Sequence, residues 1–191
     1  MNGRRLGLWL GVGVLAAALG WVLFVGLPRW VTPRRASSVP PVTSVTEPAE
    51  PERKIKARVY YVSDDGHGLI GVEREVAYGA DPSAQARAIL DAQLSPPEAP
   101  LVSAIPAGTT LRAVFVANGD AYVDLSNEIR TAHPGGSLNE SLTVYTLVGA
   151  ITTNLPAINA VQILVDGKEV DTLAGHLDLR QPLVTNPDWV Q

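Results

Sequence analysis

The first hydrophobic pattern along the chain is a continuous apolar run. Residues 6–27 form 22 positions without a charged or strongly polar side chain. At about 1.5 Å of rise per residue, such a helix is roughly 33 Å long, enough to cross a hydrocarbon core about 30 Å thick. A cleaved signal peptide is the alternative, but Pro28-Arg29-Trp30 after the run is a poor cleavage site. The run therefore predicts a retained transmembrane helix.

The segments on either side of this run predict its orientation and a tether. Residues 1–5 form a short head, and residues 28–54 are rich in Pro, Ser, Thr and Val. Prolines remove backbone donors and favour extended segments, which indicates a semi-stiff linker. Basic residues on the two sides are nearly balanced, so charge alone does not orient the helix. The short head and the large following domain favour a cytoplasmic N-terminus with the domain exported.

Residues 55–191 show the alternating patterns of a folded domain. β-branched and aromatic residues predict strands at 58–62 and 69–76. Asp81-Pro82 predicts a helix start, with an N-cap oxygen followed by proline at the first helical position. Further on, Asn118-Gly119 between two apolar runs is the strongest hairpin signal. The register it predicts pairs Val116 with Ala121, Phe115 with Tyr122, and Val114 with Val123.

A second helix follows from about Ser137 to Leu155. Ser137 and Glu140 have the spacing of a capping box, in which the two side chains bond the first backbone N–H groups. No charged residue lies between Glu140 and Asp166, so this helix must be largely buried. A strand at 161–165 then turns at Asp166-Gly167. The segment 175–191 is predicted to be irregular, either free or docked on the domain.

The order of elements predicts an α+β domain with a core at 56–174. We expect a mixed or antiparallel sheet with two helices packed on one face. The other face of such a sheet needs a cover or a partner. The hairpin register places Phe115 and Tyr122 on that less covered face, where they form a possible interface. The alternative is that the pair packs under the segment 175–191.

Composition narrows the classes of function. The chain has 191 residues and no cysteine, which excludes disulfides, thiolate catalysis and a lipidated cysteine. Residues 1–54 carry seven basic and three acidic side chains, whereas residues 55–191 carry eight and sixteen. An acidic domain does not suit nucleic acid, whose phosphates need clustered Lys and Arg.

Three short stretches, taken in order, resemble one known family. Residues 103–111 read SAIPAGTTL, residues 121–126 read AYVDLS after an Asn-Gly-Asp turn, and residues 161–168 read VQILVDGK. Together they are similar to the motifs of GerMN domains, the sporulation and spore germination module, over roughly residues 56–183. The positions that carry the family motifs are Pro106, Gly108, Thr109, Leu111, Asp124, Leu125, Ser126 and Gly167.

The resemblance implies a location and a class of function. GerMN domains are extracytoplasmic bacterial domains without an established enzymatic activity, and some resemble ring-building motifs of envelope-spanning assemblies. The chain would then be a single-pass protein of the bacterial cytoplasmic membrane, held in the lipid bilayer by residues 6–27. Its expected partner is a second copy or another envelope protein. The sequence departs from the sporulation protein in having one domain copy and no lipobox cysteine.

The residues that could carry chemistry do not form a recognisable active site. His67, His133 and His176 are isolated from one another, without the spacing of a metal motif. Ser126 follows the Asp124-Leu125 pair but lacks a G-x-S-x-G elbow. We therefore expect no catalytic residue, no metal, no cofactor and no small-molecule ligand. The alternative function is binding of a cell-wall polymer such as peptidoglycan.

Overall fold

A long β-hairpin begins the folded part of the chain. The computed structural model describes residues 53–189. Strand β1 (Lys54–Val62) pairs with strand β2 (Leu69–Ala77) in antiparallel register over their whole length. Helix α1 (Pro82–Leu94) follows and starts as the sequence predicts, because the Asp81 carboxylate accepts the Ala84 N–H at 2.9 Å.

A second sheet contains the remaining strands. Strand β3 (Leu111–Ala117) pairs antiparallel with β4 (Asp120–Leu125), and β4 pairs in parallel with β5 (Ala160–Val165). The far edge of β5 pairs antiparallel with two short strands, β6 (Lys168–Glu169) and β7 (Leu183–Val184). The connection from β4 to β5 contains helix α2 (Glu128–Thr131) and helix α3 (Ser137–Asn154).

The domain is α+β, but the single sheet expected from the sequence is wrong. Strands β1 and β2 form their own two-stranded sheet, separate from the five-stranded one. Helix α3 contributes to two cores: Leu147 and Ile151 pack in the core of the larger sheet, whereas Leu142 and Ala150 pack in the core of the hairpin. Because α3 is apolar on more than one side, one sheet face cannot cover it.

The capping box predicted at the start of α3 is also wrong. The N-cap residue is Gly136 and no side-chain cap bond is made. Glu140 is fully buried, and its carboxylate accepts the backbone N–H groups of Leu173 at 2.8 Å, Ala174 at 2.9 Å and His176 at 2.8 Å. Three donors from a distant segment satisfy a buried charge better than the single N–H at the N-cap.

Side-chain amides cover the free edge of β1. The Arg58 N–H donates to Asn154 Oδ1 at 2.8 Å, and Asn154 Nδ2 donates to the Arg58 carbonyl at 2.7 Å. Gln93 forms the same two-way bond with Tyr60, at 2.7 and 2.8 Å. The last turns of α1 and α3 therefore satisfy backbone groups that an adjacent strand would otherwise bind.

The membrane segment expected at 6–27 lies outside the described residues, as do the head and the linker up to residue 52. Within residues 53–189, no helix is both long enough and apolar enough to span a bilayer.

The buried carboxylate predicts how stability changes with pH. Burial raises the pKa of Glu140, but hydrogen bonds from the backbone N–H groups of the 173–177 segment together lower it by more. The pKa of Glu140 therefore lies below its ordinary range. A depressed acid pKa stabilises the fold above the unfolded value of about 4.3, and this contribution is lost as pH falls toward the folded pKa. We expect Glu140→Gln to lower the free energy of unfolding at pH 7 by about 2 kcal/mol, because an amide replaces the charged acceptor.

Denaturant unfolding between pH 3 and pH 7 measures both effects. The variant should show a shallower loss of stability below about pH 4.3 than the unmodified chain. Glu75→Gln is the matched control, since Glu75 is exposed on the hairpin and its nearest cation, the Lys54 Nζ, lies 3.8 Å away. An equal pH slope in Glu140→Gln and the unmodified chain would contradict this role of Glu140.

Candidate functional site

The β3–β4 hairpin carries the candidate site, and its turn determines its register. Asn118 has a φ of 55° and Gly119 a φ of 85°, the two left-handed residues that a type I′ turn requires. The Asn159 N–H donates to the Gly119 carbonyl at 2.7 Å, and a Cβ on Gly119 would lie 2.9 Å from Asn159 Nδ2. Glycine therefore allows both the turn conformation and its close approach to the chain before β5.

An aromatic pair lies on the outer face of this hairpin. Phe115 and Tyr122 oppose each other across the strands, as predicted, and their rings stack with centroids 4.8 Å apart and planes 5° apart. Val123, on the opposite face, is fully buried, and Val114 and Val116 pack against the same core. Phe115 is 46% exposed, which makes it one of four exposed large hydrophobic side chains among residues 53–189.

The chain after β6 covers the other half of this sheet face. Gln162 lies next to Tyr122 in the β4–β5 ladder, and it is only 3% exposed. Its Nε2 donates to the Leu179 carbonyl at 2.7 Å, which places the C-terminal segment over β5. The β5 side of the face is thus covered, while Phe115 on β3 remains open to solvent. A contact role for the aromatic pair remains a prediction.

Several family-motif residues join the start of β3 to the end of β4. The Thr109 hydroxyl donates to the Pro106 carbonyl at 2.8 Å, across a turn in which Gly108 has a φ of 84°. The Thr110 N–H donates to Ser126 Oγ at 3.0 Å, and the Ser126 N–H donates to the Thr110 carbonyl at 3.0 Å. The motif therefore closes one end of the hairpin with backbone and hydroxyl hydrogen bonds.

Asp124 extends this cluster to the turn after β5. Its Oδ1 accepts the Gly167 N–H at 2.7 Å, and its Oδ2 lies 3.2 Å from Arg112 Nε. The guanidinium also lies 3.4 Å from an Asp166 oxygen. The two motif leucines are apolar parts of the same region, with Leu125 fully buried and Leu111 packed against the core.

Arg112 and Asp166 belong to this cluster, although the sequence motifs do not predict them there. Arg112 lies at a register shift between Leu111 and Ala113, where the β3–β4 pairing is irregular. A simple alternating pattern through β3 gives no sign of that irregularity. The sequence did contain one sign of the cluster: one arginine and two aspartates all lie at or next to the ends of strands.

The three histidines lie in different hydrogen-bonding surroundings. His67 Nδ1 is 2.6 Å from the Asp65 carbonyl. His133 Nδ1 accepts the Gly135 N–H at 2.9 Å. Burial lowers the pKa of His133, although the negative charge of Glu140 acts in the opposite direction. His176 Nδ1 lies 3.2 Å from Glu140 Oε2. Across residues 53–189, no three acidic or histidine side chains are grouped so that they could hold a metal ion.

Ser126 has a structural role in this geometry. Its hydroxyl accepts the Thr110 N–H, and a hydrogen bond from Ser126 lowers the pKa of Glu128. No hydrogen bond joins Ser126 to a histidine within residues 53–189. The site therefore has two parts. Asp124, Arg112 and Asp166 form a polar cluster, here called the clamp, at one end of the hairpin, and exposed Phe115 lies along the hairpin on half-buried Tyr122.

The clamp predicts a specific loss of stability. We expect Asp124→Ala to lower the free energy of unfolding by about 2 kcal/mol, because the Gly167 N–H and the Arg112 guanidinium both lose a charged acceptor. Asp124→Asn should cost less, since an amide oxygen still accepts one N–H. Asp178→Ala is the control, because Asp178 bonds Arg180 at the exposed surface and should contribute little. Equal losses in Asp124→Ala and Asp178→Ala, measured by denaturant unfolding, would exclude the clamp.

Comparison with solved structures identifies the fold. The tandem GerMN domains of the sporulation protein GerM from Bacillus subtilis match with a TM-score of 0.53 and 16% identity, over 69% of this chain and 46% of that chain. The first GerMN domain of the same protein matches with a TM-score of 0.50 and 18% identity, over 70% and 98% of the two chains. A chain from Clostridium perfringens matches with a TM-score of 0.49 and 24% identity, over 69% of this chain and 87% of that chain.

The family is shown by sequence as well. No curated protein matches the chain. The family model "Germane: Sporulation and spore germination" matches residues 58–171, which is more than half of the chain and includes all eight motif positions. The resemblance to GerMN domains is therefore confirmed, and the chain belongs to the Germane family of sporulation and spore germination domains.

Proposed function

We propose that this protein is a non-enzymatic, membrane-tethered interaction module of the bacterial envelope, whose contact surface includes Phe115 and Tyr122. The observation that carries the proposal is the 46% exposure of Phe115 on a rigid hairpin, outside both apolar cores. Membership of the Germane family and the apolar run at 6–27 support an extracytoplasmic location behind an anchor.

The aromatic pair has the physical properties of an interface anchor. Aromatic side chains bury a large area at low entropic cost and are enriched among the residues that dominate binding energy. Stacking on Tyr122 holds the Phe115 ring in one orientation, so little side-chain freedom remains to be lost on binding. Burying the exposed half of Phe115 contributes roughly 1 kcal/mol, which makes the pair one part of a larger contact.

A second copy of the chain is the partner we propose. Two aromatic pairs related by a two-fold axis could bury each other, as the same surface serves both subunits in an isologous contact. The Arg112–Asp124 clamp at one end of the hairpin supplies a polar border to the apolar pair. Tethering to one membrane would raise the effective concentration of such copies.

Light scattering on the full chain in detergent, from micromolar to near-millimolar concentration, tests this proposal. The unmodified chain should grow from monomer into defined oligomers. Phe115→Ser combined with Tyr122→Ser should shift that growth to at least tenfold higher concentration and leave thermal stability nearly unchanged. Val102→Ser is the matched control, because Val102 is 59% exposed and lies outside the hairpin.

Two results would count against the aromatic interface. Self-association that is unchanged in the double variant would exclude Phe115 and Tyr122 from the contact. A large fall in its thermal stability would assign the pair to folding instead.

The alternative function, binding of a cell-wall polymer through the exposed ring, predicts that purified peptidoglycan retains the unmodified chain but not the double variant.

A further inference from the structure

The segment after β6, residues 170–189, consists of an anchored part and a part without buried side chains. Its first residues are anchored, because Glu140 binds three backbone N–H groups between Leu173 and His176, and Leu179 is 1% exposed in the larger core. Beyond it, none of residues 181–189 is buried. We name residues 181–189 the strap. The strap lies outside the part of the chain that the family model matches.

The strap is attached at three places. Strand β7 pairs with Ala160 and Val161 on the free edge of β5, over only two residue pairs. The Thr185 and Thr152 hydroxyls are hydrogen-bonded. At the end, the Trp189 ring stacks on Tyr145 with centroids 6.1 Å apart, and its carbonyl accepts the Leu69 N–H at 3.0 Å.

These contacts define a docking groove for an extended peptide. Without the strap, the groove presents a strand edge at Ala160–Val161, the Thr152 hydroxyl and the Tyr145 ring. A strand edge accepts an extended segment through main-chain hydrogen bonds, and the neighbouring side chains select its sequence. The segment that supplies every one of these contacts is the strap itself, so a second copy of this chain carries the fitting occupant.

The strap is held without any fully buried side chain. Val184 is 62% exposed, and Gln181 is exposed beside Pro182, which has no backbone N–H to donate. Release exposes mainly the partly buried side chains of Leu183 and Trp189, which pack against the two cores, so this surface needs to be covered again elsewhere. Binding to the groove of another copy then restores the same contacts, which is the low-cost route of domain swapping.

We propose that the strap exchanges between two copies of the chain, so that each strap docks in the β5–α3 groove of the other. Reciprocal exchange closes a two-fold dimer. The anchored segment from Leu173 to Leu179 stays with its own domain, and the chain around Pro182 acts as the hinge. The exchange uses the edge of β5 and is independent of the aromatic pair on β3.

Disulfide trapping tests the exchange directly, because the chain contains no cysteine. One full-length preparation carries Thr152→Cys and a second carries Thr185→Cys; they are mixed in detergent and oxidised. A disulfide between the two different chains forms only when the strap of one lies on α3 of the other. We expect this mixed dimer to increase with concentration, and to exceed at least tenfold the yield of the control pair Thr153→Cys and Thr185→Cys.

The control moves the cysteine away from the strap by one helix position. Thr153 is adjacent to Thr152, but its hydroxyl bonds the Tyr60 hydroxyl at 2.9 Å, on the hairpin side of α3. A tenfold excess of the unmodified chain, added before oxidation, should reduce the mixed-dimer yield several-fold, because its straps and grooves compete for exchange, whereas a random collision between the two cysteine variants does not depend on it. The double variant Thr152→Cys/Thr185→Cys at low concentration should form the disulfide within one chain.

Three outcomes would overturn the exchange. The first is a mixed-dimer yield no higher than that of the Thr153→Cys control up to near-millimolar concentration. The second is a yield unaffected by excess unmodified chain, which would indicate random collision. The third is failure of the double variant to form the disulfide within one chain. None of these results bears on Phe115 and Tyr122, so the exchange and the aromatic interface can fail separately.

Discussion

Helix α3 is buried on more than one side, and the strands around it are arranged to cover those sides. Its 18 residues carry a single charged side chain, and ten of them are buried. A helix this apolar cannot lie on one sheet with its opposite side in water. The β1–β2 hairpin covers one side of α3 and the five-stranded sheet covers another, so two small cores form where one sheet would have supplied one.

The one charged residue of α3 connects this arrangement to the C-terminus. Glu140 lies in the first turn of the helix, where the macrodipole favours a negative charge, yet burial would be costly without further partners. The backbone N–H groups of the 173–177 segment supply them. The Glu140 carboxylate thus holds this segment in place, and the segment supplies the hydrogen bonds that the buried charge needs. The segment is therefore part of the folded domain, and its anchored end determines where the strap begins.

The β3–β4 hairpin combines a frame of hydrogen bonds with an exposed aromatic side chain. The type I′ turn at one end and the Asp124–Arg112 clamp at the other hold both strands in register. Between them, Phe115 stacks on Tyr122 at the surface. Family-motif residues thus stabilise the frame, whereas the proposed contact residues lie outside the motif.

Features that depend on neighbouring residues could be predicted from the sequence. Asn118-Gly119 set the turn and hence the pairing of Phe115 with Tyr122, Asp81-Pro82 set the start of α1, and the lack of charge after Glu140 required a buried helix. The division into two sheets, the donors to Glu140 and the groove that holds the strap became visible only in the folded chain. Those features depend on which distant segments return to the same place, and local periodicity and turn chemistry carry no information about that return.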